Sequence, residues 1–204
     1  MDWPKQELLL KHSMAKEEVE EVFKLLLSRG LDFMVHDPIP DNHFFIYFQT
    51  EKVNPDFIKR CEIYQEFATA GDPVNFVAKA ACQYVAIEPY LKSSSQYEEI
   101  KRELKGLMVI RTTSPLDGRS TWMEIFNRKV SKSQAGAWIA GILGVERQKI
   151  LAVGNDYNDL DLLKWAGAGF VVQDSPPELL RLFPTVSAEG SCFTEAVSLW
   201  QKAP

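Results

Sequence analysis

Apolar and polar positions change their spacing repeatedly along this chain of 204 residues. Alternation between helical and strand periods is the pattern of an α/β or α+β protein. From Lys16 to Arg29, Val19, Val22, Phe23, Leu26 and Leu27 share one helical stripe, and Gly30 follows as a stop. Strands are predicted over Asp32 to His36 and His43 to Phe48, with the turn-forming residues Pro38 to Asn42 joining them into a hairpin. Asn54 and Pro55 open a helix through Phe67, Gln83 to Ile87 reads as a strand, and Ser95 to Lys105 as a helix closed by Gly106. Leu107 to Thr112 and Thr121 to Phe126 form a second hairpin across the turn Ser114 to Gly118. This half is expected to be a sheet with helices on one face.

Beyond Asn127 helix and strand alternate strictly. The pattern predicts a helix over Lys132 to Leu143, a strand over Lys149 to Val153, a helix over Asp159 to Trp165 and a strand over Gly169 to Val172. A short helix at Pro177 to Leu182, an extended Thr185 to Ser187 and a helix at Thr194 to Gln201 complete it. Short connections between such units imply parallel strands with right-handed crossovers, so a domain border is expected near Asn127.

Composition narrows the class without changing this outline. The chain carries 23 basic and 28 acidic residues, with no long basic run to neutralise a row of phosphates. Nucleic acid is therefore not an expected partner. Cys61, Cys82 and Cys192 are odd in number and widely spaced, which fits reduced, packing thiols and a cytoplasmic setting. The first fourteen residues flank a very short apolar run with charges, and read as neither a signal peptide nor a membrane span. His12, His36 and His43 are too dispersed in sequence to suggest a metal cage or a triad.

Candidate chemistry concentrates in one loop. Ile150 to Val153 is an unbroken apolar run, as in a strand buried on both faces, and Gly154 ends it. Asn155, Asp156, Tyr157, Asn158 and Asp159 follow directly, then Leu160, Leu162 and Leu163 at helical spacing. Ligands bind at this carboxyl edge in open parallel sheets, and hard oxygen donors without sulfur or imidazole suit Mg²⁺. The competing reading is a solvated turn in which Asn158 or Asp159 caps the helix. Lys132 opens the preceding helix, against the macrodipole preference for cations at the other end. A bound phosphate, meeting the helix amides and the ammonium together, would account for that placement.

At these residues the chain resembles the haloacid dehalogenase (HAD) superfamily, and within it the Cof-type sugar-phosphatase branch. Val130-Ser131-Lys132 is similar to the family's lysine motif, and Gly154-Asn155-Asp156-Tyr157-Asn158-Asp159 to its acidic motif Gly-Asp-x-x-Asn-Asp. The similarity continues through Ala166-Gly167-Ala168-Gly169 and Glu189-Gly190. The resemblance implies a HAD-like Rossmannoid core with an inserted α/β cap: a lead-in over 1–14, the cap over 15–127, and the C-terminal half of the core over 128–204. It implies that Lys132 binds the transferring phosphoryl group and shields the nucleophile, that Asn158 binds substrate phosphate, and that Asn155, Asp156 and Asp159 are the metal positions.

Two departures limit what the resemblance carries. The first aspartate of the acidic motif falls on Asn155, so either Asp156 compensates for the missing charge or metal affinity falls. The Asp-x-Asp-Gly that supplies the family's nucleophile is absent; Asp159-Leu160-Asp161 lacks the glycine, and Met1 to Pro4 resembles family sequence just before the cap. The expectation is a core lacking its N-terminal strand: a Mg²⁺-dependent phosphatase lineage acting on small phosphorylated metabolites, inactive as this chain stands. Without that strand, an open apolar sheet edge would favour self-association. The alternative is a non-catalytic phospho-ligand or protein-binding module on the same fold.

Overall fold

A computed structural model describes residues 4–5, 7–90 and 96–202. Residues 1–3, on which part of the family likeness falls, and Ser95, the expected start of a helix, lie outside the described residues. The chain divides into two compact units, Met1–Lys129 and Val130–Pro204.

The first unit runs α1 (Lys16–Ser28), β1 (Asp32–His36), β2 (Phe45–Phe48), α2 (Pro55–Ile63), β3 (Ala68–Ala70), β4 (Gln83–Glu88), α3 (Tyr97–Glu103), β5 (Leu107–Thr113) and β6 (Thr121–Asn127). Its six strands are ordered β3-β2-β1-β4-β6-β5. Both expected hairpins form: β1 pairs antiparallel with β2, Phe33 opposite Phe48, and β5 with β6, Val109 opposite Ile125. β4 joins them by pairing with β1 and with β6.

Helices cover both faces of this sheet, which corrects the expectation of one. On one face Val19, Val22, Phe23 and Leu26 of α1 and Ile100 of α3 pack on Phe33, Val35, Tyr84 and Ala86. On the other, Phe57 of α2 packs on Met34, Phe45, Val85, Ile87 and Trp122. The reason is in β1 and β4, whose residues are apolar on both alternations and buried nearly throughout. Tyr84 is fully buried and satisfies its hydroxyl by donating to the Val19 carbonyl at 2.7 Å. The helix expected through Phe67 ends at Ile63, and the chain then turns into β3, a short strand parallel to β2 that periodicity did not reveal.

The second unit runs α4 (Lys132–Leu143), β7 (Leu151–Gly154), α5 (Leu160–Trp165), β8 (Ala168–Val172), α6 (Pro177–Leu180), β9 (Thr185–Val186) and α7 (Cys192–Lys202). The strands form one parallel sheet ordered β7-β8-β9. Ala152, Leu163, Val171 and Leu179 make one core cluster, and Phe170, Val186 and Ala196 another. Gly167 is forced by close packing: a Cβ there would stand 2.4 Å from the Gln148 carbonyl oxygen. Among the described residues, no helix is long and apolar enough to cross a membrane.

Candidate phosphate site at the end of β7

Within the second unit, the turn leaving β7 and the first turn of α4 meet. Ser131 is extended (φ −160°, ψ 167°) and caps α4, its Oγ accepting the Gln134 N–H at 3.3 Å. That cap sets Lys132 as the first helical residue. The Lys132 ammonium donates to Oδ1 of Asp159, and the other carboxylate oxygen, Oδ2, accepts the Asn155 N–H at 2.9 Å. Asp159 is buried, whereas the Lys132 side chain is 46% exposed. Lys132 is thus anchored by a shielded carboxylate and still accessible.

Gly154 permits this approach. A Cβ on it would sit 2.5 Å from the Asp159 Cβ and 2.9 Å from Oδ2. The loop itself is a tight turn over Tyr157–Asp159, closed by the Asp159 N–H donating to the Asp156 carbonyl at 3.0 Å. Tyr157 donates its hydroxyl to Glu178 at 2.7 Å, tying the loop to α6. Asn158 is half-buried, and its side-chain amide makes no hydrogen bond to another described residue.

One participant was weighed in the sequence only as part of an Asp-x-Asp nucleophile motif and set aside. Asp161 accepts the Ser133 N–H at 3.0 Å through one oxygen and the Leu162 N–H at 2.8 Å through the other. Burial acts to raise its carboxyl, but hydrogen bonds from Ser131, Ser133 and Leu162 prevail and hold it below the usual value. An ionised carboxylate therefore ties the first turn of α4, at the residue after Lys132, to the start of α5. Its signal was the spacing Asp159-x-Asp161, which puts a second acid two residues past the loop.

The donors fit Mg²⁺ in kind and are few in number. Among the described residues, no group of three or more His, Cys, Asp or Glu could hold a metal. Asp159 spends both oxygens on Lys132 and Asn155; of the other two motif positions, Asp156 is buried and Asn155 exposed. Mg²⁺ is commonly held by one or two carboxylates with waters and substrate phosphate completing its shell. All three cysteines are free; burial pushes the thiols of Cys61 and Cys82 up to about 11, which leaves them protonated and inert at neutral pH.

A family model for haloacid dehalogenase-like hydrolases matches residues 2–189. The chain belongs to this family. Its relatives include the putative phosphatase YxeH of Bacillus subtilis, 35% identical over 58 residues, which are 28% of this chain and 22% of that protein. A phosphoglycolate phosphatase of Methanoculleus marisnigri is 37% identical over 70 residues, 33% of this chain and 30% of its own length. The chain thus spans less than a third of the curated haloacid dehalogenase-like relatives it matches. Among solved structures, the subclass IIB sugar phosphatase BT4131 aligns with a TM-score of 0.70 at 13% identity, over 97% of this chain and 70% of that one. BT1666 from Bacteroides thetaiotaomicron aligns with a TM-score of 0.69 at 16% identity, over 95% and 67%. The fold is accordingly the family's: an α/β core sheet, here β7-β8-β9, with an inserted α/β cap sheet, here the six-stranded one.

Proposed function

We propose that the second unit binds the phosphoryl group of small phosphorylated metabolites, as the phosphate-binding half of a HAD-type phosphatase site of the Cof-type branch. The observation that carries this is the Lys132 ammonium, exposed at the start of a twelve-residue helix and anchored by the buried Asp159 carboxylate. A phosphate placed there meets the ammonium and the first amides of α4 together, and both favour a dianion. The side-chain amide of Asn158 supplies a further donor. Asp159 would then orient Lys132 and the Asn155 backbone, while Asp156 and the Asn155 carbonyl would hold Mg²⁺, with Asp159 next to them. A bound Mg²⁺ supplies Lewis-acid polarisation of a phosphoryl oxygen.

Phosphoryl transfer in this reading needs an aspartate nucleophile, and no Asp-x-Asp-Gly stands among the 204 residues. The polypeptide by itself is therefore proposed to bind phosphate without turnover. The same reading assigns the β7 edge that does not face β8 to a second copy of the chain, since β7 pairs with β8 alone among the described residues.

Titration of inorganic phosphate into the protein, followed by amide chemical shifts, tests the site. Shifts are expected in 131–134 and 154–161, with Lys132→Ala weakening binding by about tenfold or more. Equal affinity in wild type and Lys132→Ala would remove Lys132 from the site. Metal-dependent hydrolysis of a phosphate ester by the purified chain would overturn the claim of binding without turnover.

A further inference from the structure

The six-stranded unit holds a half-buried guanidinium with no carboxylate in ion-pair contact. Arg60, on α2, lies over the Trp122 ring at 4.5 Å and the Tyr64 ring at 5.2 Å. Among the described residues its one hydrogen bond runs from Nε to the Met34 sulfur at 3.3 Å, a weak acceptor. No carboxylate of a described residue stands within ion-pair distance of it. Of the acids that attract it, Asp56 accepts from Ser114 at 2.7 Å and from Trp122 Nε1 at 2.5 Å, and Glu124 adds a Coulombic attraction. Removing a guanidinium from water without pairing it is costly, and arginine does not escape the cost by losing its proton.

Arg60 lines a cavity of about 250 Å³ with His36, His43 and Gln83, against apolar walls from Phe45 and Phe67. The polar groups around it are incompletely paired. His36 uses Nδ1 on the Asn42 carbonyl at 2.9 Å, and its Nε2 is buried without a partner. The Gln83 amide and the His43 ring make no side-chain hydrogen bond to another described residue. The Arg60 guanidinium, with the Gln83 amide and a His43 ring N–H beside it, is complementary to a ligand rich in acceptors and negative charge, and the neutral His36 Nε2 is left to accept from a ligand hydroxyl.

We propose that this cavity is an anion-binding site in which Arg60 receives the oxyanion, a carboxylate or a phosphate, of a small metabolite. The two rings beneath Arg60 hold the guanidinium plane so that its terminal nitrogens can meet two oxygens side by side. Gln83 and His43 supply further donors at the rim. The site is built wholly within the six-stranded unit and does not depend on the reading of Lys132.

The test follows the Arg60 Nε–H and the His36 and His43 ring signals by NMR in the whole chain, during separate titrations with inorganic phosphate and with malonate. Saturable shifts of the Arg60 signal are expected with at least one anion. A response to malonate alone identifies a carboxylate site, and a response to phosphate alone a phosphoryl site. Arg60→Gln should weaken that binding by about tenfold or more, and Arg60→Lys, a point charge without the planar fork, by less. Lys132→Ala should leave the Arg60 response unchanged, which separates this site from the one at β7. An Arg60 signal in the wild-type chain that moves with neither anion would overturn the proposal, even if Arg60→Gln fails to fold.

Discussion

His36 is 7% exposed, and burial, aided by the charge of Arg60 and opposed by the hydrogen bond at Asn42, pushes its imidazole down to about 4 from 6.5. Between those values the unfolded chain binds a proton that the folded chain refuses, so stability rises with pH across the window. The contribution is complete above pH 6.5 and lost as pH falls to 4, an effect of about 3 kcal/mol. Urea unfolding at pH 7 and pH 5 should show wild type losing more stability on acidification than His36→Gln; equal losses would remove His36 as the cause. Gly154 shows the opposite kind of constraint, a missing atom. Gly154→Ala places a Cβ 2.5 Å from that of Asp159 and must move the carboxylate that anchors Lys132. Phosphate affinity is expected to fall about tenfold, with a stability loss of about 1–3 kcal/mol by thermal melting. An alanine variant with wild-type affinity would mean that the anchor is dispensable.

Elements are joined here by side chains that cap one and satisfy another. Asn54 is 1% exposed; it accepts the Phe57 N–H at 3.3 Å to start α2 and donates to the Ile87 carbonyl of β4 at 2.9 Å. Asn54→Ala removes the cap and orphans a buried carbonyl together, so a loss of about 2–4 kcal/mol is expected in chemical denaturation. Asn54→Asp keeps the acceptor and loses the donor, and should fall between. α2 matters beyond stability because it carries Arg60. α4 is held in a comparable way: Ser131 caps it from within, and Asp161 ties its first turn to α5. Helical spacing placed α1 and α4 well, since each is long enough for its period to register. It overran α2 by four residues and gave no sign of β3, three residues whose place is set by pairing with β2.

At the scale of the whole molecule, the sheet that ends at β7 governs the proposed association. Two of its three strands pair with β8, and β7 leaves one edge unpaired among the described residues. α4 adds exposed apolar side chains, Ile139, Ile142 and Leu143, at 50 to 67% exposure. Light scattering on a size-exclusion column over a range of concentrations should show a mass above the 23.2 kDa of one chain, rising with concentration. A constant mass of one chain would remove edge pairing between copies.

The sequence by itself determined the α/β class, both hairpins, the strand-loop-helix at Ile150 to Leu163 and the pairing of a cationic helix start with an acidic loop. These are local: each depends on residues close enough in sequence for period, turn chemistry or motif spacing to record them. Tertiary structure alone decided the rest. Asp159, a metal position in the motif, also anchors Lys132, because its two oxygens meet groups four and twenty-seven residues away. His36, His43, Arg60 and Gln83 look unrelated in sequence, and the ordering β2-β1-β4 with α2 across it brings them to one cavity. Which of a buried residue's hydrogen bonds go unmade is a property of the packed molecule, and no periodicity encodes it.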